Sequence, residues 1–82
     1  MLNIKGNPDY FSNHALKRMQ ERNIPEEWVQ QTLLNPDQGP EYDDIRDNYR
    51  YDKVFRRDEM VYPIRVIVDE NFRIIVTVEY RD

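Results

Sequence analysis

Tyr62-Pro63-Ile64-Arg65-Val66-Ile67-Val68-Asp69, followed after Glu70-Asn71-Phe72 by Arg73-Ile74-Ile75-Val76-Thr77-Val78-Glu79-Tyr80, is the stretch on which the fold turns. In the first half Tyr62, Ile64, Val66 and Val68 alternate with Pro63, Arg65, Ile67 and Asp69. In the second, Ile74, Val76, Val78 and Tyr80 alternate with Arg73, Ile75, Thr77 and Glu79. A period of two sends successive side chains to opposite faces of a sheet, so the pattern predicts two half-buried strands over residues 61–69 and 73–80. Pairing Val68 with Ile74, Val66 with Val76 and Ile64 with Val78 puts both apolar sets on one face. That register predicts a three-residue loop with Asn71 or Glu70 at positive φ.

Upstream, Tyr49, Tyr51, Val54 and Phe55 predict a strand over residues 49–56, ended by the turn-like Arg57-Asp58-Glu59. Residues 37–48 are polar and aperiodic, with turn residues at both ends, and read as a loop with room for a short strand near Tyr42. Earlier still the period changes. Ser12 offers an N-cap, and Ala15, Leu16 and Met19 share one side of a helix over residues 13–22, which predicts that side as core-facing. Pro25 suits a first helical position and Glu26-Glu27 place negative charge in the first turn of a second helix over residues 26–34, stopped by Asn35-Pro36. Trp28, Val29, Thr32 and Leu33 share its inner face. Trp28 is expected to be buried against the sheet, touching Met19, Val66 or Val76. The joint between the helices is Asn23-Ile24, and residues 1–11 read as an arm or edge strand leading into the first helix.

The fold expected is therefore one α+β domain over residues 1–82, an N-terminal two-helix hairpin packed on a twisted antiparallel β-sheet. Twelve basic against sixteen acidic residues give a net charge of −4, which argues against a domain that coats nucleic acid by bulk electrostatics. Any such site must be local. There is no cysteine, hence no disulfide framework and no thiolate metal site. Met1 to Pro8 lacks the apolar run of a signal peptide and no stretch approaches the roughly 20 apolar residues that span a bilayer, so the expectation is a cytoplasmic protein with no membrane contact.

The single histidine stands at the head of a helical series, since His14, Arg18 and Arg22 recur at i, i+4 and i+8 along one flank, with Lys17 beside them. A phosphodiester lying there would meet an imidazole able to move a proton near neutral pH and two guanidiniums able to grip phosphate oxygens. The series drifts toward Ala15 and Met19, so Arg22 is expected to be partly buried, with His14 and Arg18 accessible beside a groove. The same spacing fits a solvated first-turn histidine with arginines paired to Glu21, Glu26 or backbone carbonyls. On spacing alone that plainer reading weighs more. Asp43, Asp44, Asp47, Asp58 and Glu59 match no metal-loop spacing and lie among arginines, so no metal is expected.

The run from Ser12 to Asp37, with His-Ala-x-x-Arg-Met-x-x-Arg-x-Ile from His14 to Ile24, a second helix and an Asn-Pro-Asp stop, resembles the start of the bacterial family called domain of unknown function 4258. The alternating strands after Ile64 and Ile74 are similar to that family's closing hairpin. Asn23 replaces the usual glycine and Pro25 the usual capping Ser or Asp, and both preserve the joint. Such domains resemble the RelE and BrnT toxins, small metal-independent ribonucleases with helices packed on an antiparallel sheet. The resemblance implies His14 as proton-transfer residue, Arg18 and Arg22 at the phosphate, and no cofactor; beside them Lys17 and Arg65 are candidate phosphate or RNA contacts. It also implies RNA and a cognate antitoxin as partners, with a homodimer open. Two other readings stand beside it: a non-catalytic protein-interaction module on the same scaffold, and an acidic inhibitor that mimics nucleic acid through the 41–59 segment.

Overall fold

The computed structural model describes residues 10–81 and is α+β: two helices, α1 (Asn13–Arg22) and α2 (Glu26–Leu34), and five strands. The strands are β1 (Tyr10–Phe11), β2 (Gln38–Asp43), β3 (Asn48–Arg57), β4 (Met60–Asp69) and β5 (Ile74–Tyr80). They form one sheet in the order β1-β5-β4-β3-β2. Residues 1–9 of the expected arm lie outside the described residues. Among those described, no helix is long and apolar enough to cross a membrane.

Each helix is bounded by its own chemistry. The Ser12 hydroxyl caps α1 by accepting from the Ala15 amide at 2.9 Å. Asn23 ends it in the left-handed conformation at φ 56°, where the amides of Asn23 and Ile24 close onto Gln20 and Met19. Pro25 precedes α2 as its N-cap at φ −66° rather than occupying its first turn. Only Ala15 and Met19 of α1 are buried, and Leu16, expected on the core side, is 49% exposed. A helix laid over β5, the last long strand before the edge of the sheet, buries only a narrow i, i+4 stripe.

Both helices cover one face of the sheet, α1 over β5 and α2 over β3 and β4. Ala15, Met19, Ile24, Trp28 and Val29 meet Tyr51, Phe55, Ile64, Val66, Val68, Ile75 and Val78 in one core. Each large aliphatic side chain withdrawn there contributes about 1.5–3 kcal/mol. Trp28 is buried, with its ring stacked on Phe55 at 4.7 Å and tilted against Tyr62 at 5.5 Å.

The sheet departs from expectation in three places. It is mixed rather than antiparallel, because the chain passes from β1 onto α1 without reversing and β1 pairs parallel with β5. The 37–48 segment contains a full strand, β2: Gly39 and Pro40, which read as turn residues, form an irregularity in an edge strand, where such residues are tolerated. Gly39 has φ +101°, and a Cβ there would overlap the Arg50 carbonyl.

The third departure is the C-terminal hairpin. Val68 pairs with Ile75, Val66 with Val78 and Ile64 with Tyr80, and Val76 is the extra residue where the register shifts. That bulge lets Ile75 and Val78, three apart, both face the helices. The loop is longer than three residues. The Asp69 carboxylate accepts from the amides of Asn71, Arg73 and Ile74, and the positive φ falls on Phe72 at 58° instead of on Asn71 or Glu70. Phe72 stacks on Tyr49 at 4.4 Å, packing that offsets the strain of its backbone.

Candidate functional site

Two side chains fix where α1 lies. At its start Ser12 donates through its amide to the Ile75 carbonyl at 2.9 Å and through its hydroxyl to the carbonyl of the bulged Val76 at 2.7 Å. At its end the Tyr80 hydroxyl donates to the Arg22 carbonyl at 2.9 Å, satisfying one of the acceptors a helix leaves open at its C-terminus. The helix therefore runs beside β5 and in the same direction, pinned at both ends.

On this pinned helix His14 and Lys17 are exposed, and Arg18 is half-buried beside Glu21 at 3.5 Å, a water-facing pair that contributes little. Arg22 is exposed, against the expectation of partial burial. The space beneath the last turn is taken by Ile24 and Tyr80, so the guanidinium extends into water. Arg57 joins this end of the helix from β3, its guanidinium 4.6 Å from the centre of the Trp28 ring. A chain of rings, Trp28 to Tyr62 at 5.5 Å and Tyr62 to Tyr80 at 6.0 Å, connects Arg57 to the Tyr80 hydroxyl at the end of α1; burial pushes the Tyr80 phenol up and Tyr62 adds to the shift, while Arg57 and then Arg22 oppose it.

Arg65 does not belong to this group. It stands between Ile64 and Val66 on β4, both fully buried beneath the helices, so its own side chain faces the other side of the sheet. There it grips Asp52 through two bonds of 2.9 and 3.1 Å, with Arg81 3.4 Å from the same carboxylate. The Asp52 bond holds the Arg65 guanidinium charged, raising its pKa against the opposing effect of burial. Thus the structure brings His14, Lys17, Arg18 and Arg22 together on one helix and separates Arg65 from them by the thickness of the sheet.

The cations differ in their partners. Those lining the open-face cleft are matched: Arg46 to Asp43 at 3.2 Å, Arg50 to Glu41 at 3.1 Å, Arg65 to Asp52. On the helix-bearing side Lys17, Arg22 and Arg57 form no ion pair with a described residue. Arg56, on the open face of β3, and Arg73, before β5, also form no ion pair with a described residue, while Arg18 and Lys53 on the helix-bearing side pair with Glu21 and Asp37. No group of three or more His, Cys, Asp or Glu that could hold a metal ion occurs among the described residues. Sequence reasoning missed Arg57 and Tyr80 as neighbours of the α1 flank, because only the sheet register brings the ends of β3 and β5 to that helix. It also missed a cleft of ≈ 430 Å³ on the open face, whose walls include Asn48, Arg50 and Thr77. Nothing in their spacing marks them.

The model of the family described as Domain of unknown function (DUF4258) matches residues 11–80. No curated protein and no solved structure matches the chain.

Proposed function

The chain belongs to the DUF4258 family, and from that premise we propose that it is a toxin-like, metal-independent endoribonuclease of the RelE and BrnT kind that holds an RNA phosphodiester along the exposed flank of α1. The observation that carries the reading is that Lys17 and Arg22, on the helix that bears the one histidine, and Arg57 beyond its end have no carboxylate partner among the described residues. Unmatched guanidiniums are free to exchange water for phosphate oxygens, whereas Arg46, Arg50 and Arg65 must first break an ion pair. His14 acts as general base or acid in the attack of a 2′-hydroxyl oxygen on the adjacent phosphorus. The 5′-oxygen leaves with a proton and a 2′,3′-cyclic phosphate remains. Arg18 and Arg22 offset the charge of the pentacoordinate state. In this reading the partners are RNA and a cognate antitoxin, with a homodimer open, and the setting is the cytoplasm.

The test is cleavage of a single-stranded RNA, alone and on ribosomes, by the full chain freed of any antitoxin. His14→Ala is expected to lose roughly 10²–10⁴ in rate with an unchanged melting temperature. Cleavage by the wild type should survive EDTA, and its expression should arrest growth where the variant does not. Equal cleavage by His14→Ala, or none by the wild type in either setting, overturns the reading.

A second reading, a non-catalytic protein-interaction module, is favoured by one observation: Val54, Met60 and Val61 on the β3–β4 hairpin are 42, 58 and 49% exposed. Capture of a partner that is lost on Val61→Asp, in a protein inactive on RNA, would select it.

A further inference from the structure

We propose that the open face of the sheet carries a binding site for an uncharged planar heterocycle of the nucleobase class, in the cleft between β3, β4 and β5. The cleft has a volume of ≈ 430 Å³, room for a base with its sugar. Its floor is Ile67, which is only 8% exposed yet lies outside the main core, on the face away from the helices. Arg50, Ile67 and Thr77 form one cross-strand row, with Asn48 next on the same face of β3.

Asn48 Oδ1, Arg50 Nε and Thr77 Oγ1 are buried side-chain atoms that find no hydrogen-bond partner among the described residues, and all three belong to residues of this cleft. Among the described residues no other buried side-chain atom shares that state. They comprise an acceptor, a donor and a hydroxyl that is both, so their complement is an edge carrying donors and acceptors side by side. Such an edge is what a purine or pyrimidine presents.

Charge narrows the class further. Arg46, Arg50 and Arg65 are each matched by a carboxylate, and Glu79 adds another to the wall. A phosphate or carboxylate ligand would have to displace those partners, whereas a neutral ring can slide over Ile67 and stack beneath a guanidinium plane. A base from a free nucleoside and a base from single-stranded RNA share this chemistry. The site lies across the sheet from His14, and its occupancy needs no cleavage, so it stands or falls apart from the ribonuclease reading.

The experiment is a titration of the full chain with uridine, cytidine, adenosine, guanosine and their 5′-monophosphates, followed through backbone amide shifts. At least one nucleoside is expected to move Asn48, Arg50, Ile67 and Thr77 saturably, and its monophosphate to bind within about threefold of it, because the cleft offers no spare positive charge. Thr77→Val should weaken that nucleoside by roughly tenfold while raising the melting temperature, since it removes an unsatisfied hydroxyl that only the ligand satisfies. Thr77→Ser should restore binding. An unstructured oligonucleotide that moves the same amides identifies RNA as the source of the base; one that leaves them unmoved identifies the free nucleoside. The proposal is overturned if no nucleoside saturates these amides, if inorganic phosphate or a monophosphate binds them at least ten times more tightly than the nucleoside, or if folded Thr77→Val binds as wild type.

Discussion

Ser12 carries more of the structure than its size suggests, because one side chain and one amide make three bonds: to the Ala15 amide and to the carbonyls of Ile75 and Val76. Ser12→Ala removes a helix cap and the tether to the bulge at once. A loss of about 2 kcal/mol is expected, about 1 from each, read as a fall of roughly 10 °C in melting temperature. A fall of only a degree or two would mean that α1 is held by its apolar stripe alone. Trp28 sits at the opposite extreme, buried between Phe55 and Tyr62 with Arg57 over its ring. Trp28→Ala should cost about 3–5 kcal/mol, a large part of what a domain of this size has, and largely unfold it. Arg22 is exposed, so Arg22→Ala should leave the melting temperature within a degree of wild type and act on RNA binding alone. A marked loss of stability would show that its side chain packs.

The β3–β4 connection is a two-residue turn, with Arg57 paired to Met60 and both Asp58 and Glu59 at positive φ, 52° and 68°. That geometry favours Asn-Gly, and a glutamate in the left-handed region is strained. Glu59→Gly is therefore expected to stabilise the chain by about 0.5–1 kcal/mol, the relieved strain exceeding the added freedom of the unfolded state. Chemical denaturation gives the sign, and a lower midpoint would show that the turn is not of this type. The β2 edge works the other way. Gly39→Ala would drive a methyl group into the Arg50 carbonyl at a backbone angle alanine rarely adopts, and should prise β2 from β3.

Taken whole, the molecule holds its acidic excess in part as hydrogen-bond acceptors. The Asp37 carboxylate accepts from the Val54 amide at 2.8 Å, which lowers its pKa, with Lys53 adding to the effect. Asp43 is lowered by the amides of Arg46 and Ile45. Since both folded values lie below the unfolded ones, both contributions are complete at neutral pH. They are lost as the pH falls from about 4 through the lowered folded values. The double variant Asp37→Asn, Asp43→Asn keeps acceptors but cannot titrate, so its melting temperature should fall less steeply between pH 5 and pH 2 than that of wild type. Parallel curves would refute the linkage. At the alkaline end Tyr42 donates to Asp47, which pushes its phenol up to about 12; this contribution is complete below the ordinary phenol value and is lost as the pH rises from there through the raised folded value.

The sequence by itself determined what depends on neighbours a few residues apart. Ser12, Asn23 and Asn35-Pro36 bound the helices because capping, left-handed turns and the exclusion of helix before proline are local effects. The His14, Lys17, Arg18 and Arg22 flank was legible for the same reason: helical spacing alone places it. Only the tertiary structure decided what depends on pairing across the chain. The bulge at Val76 exists because Ile75 and Val78 must both reach the helices, and no alternation within β5 reveals that. Arg65 reads as one more cation in the sequence, yet strand parity sends it to the far face and Asp52 neutralises it there. Arg57 and Tyr80 come to the end of α1, and Asn48, Arg50 and Thr77 come to a single cleft, only when register aligns strands that lie tens of residues apart.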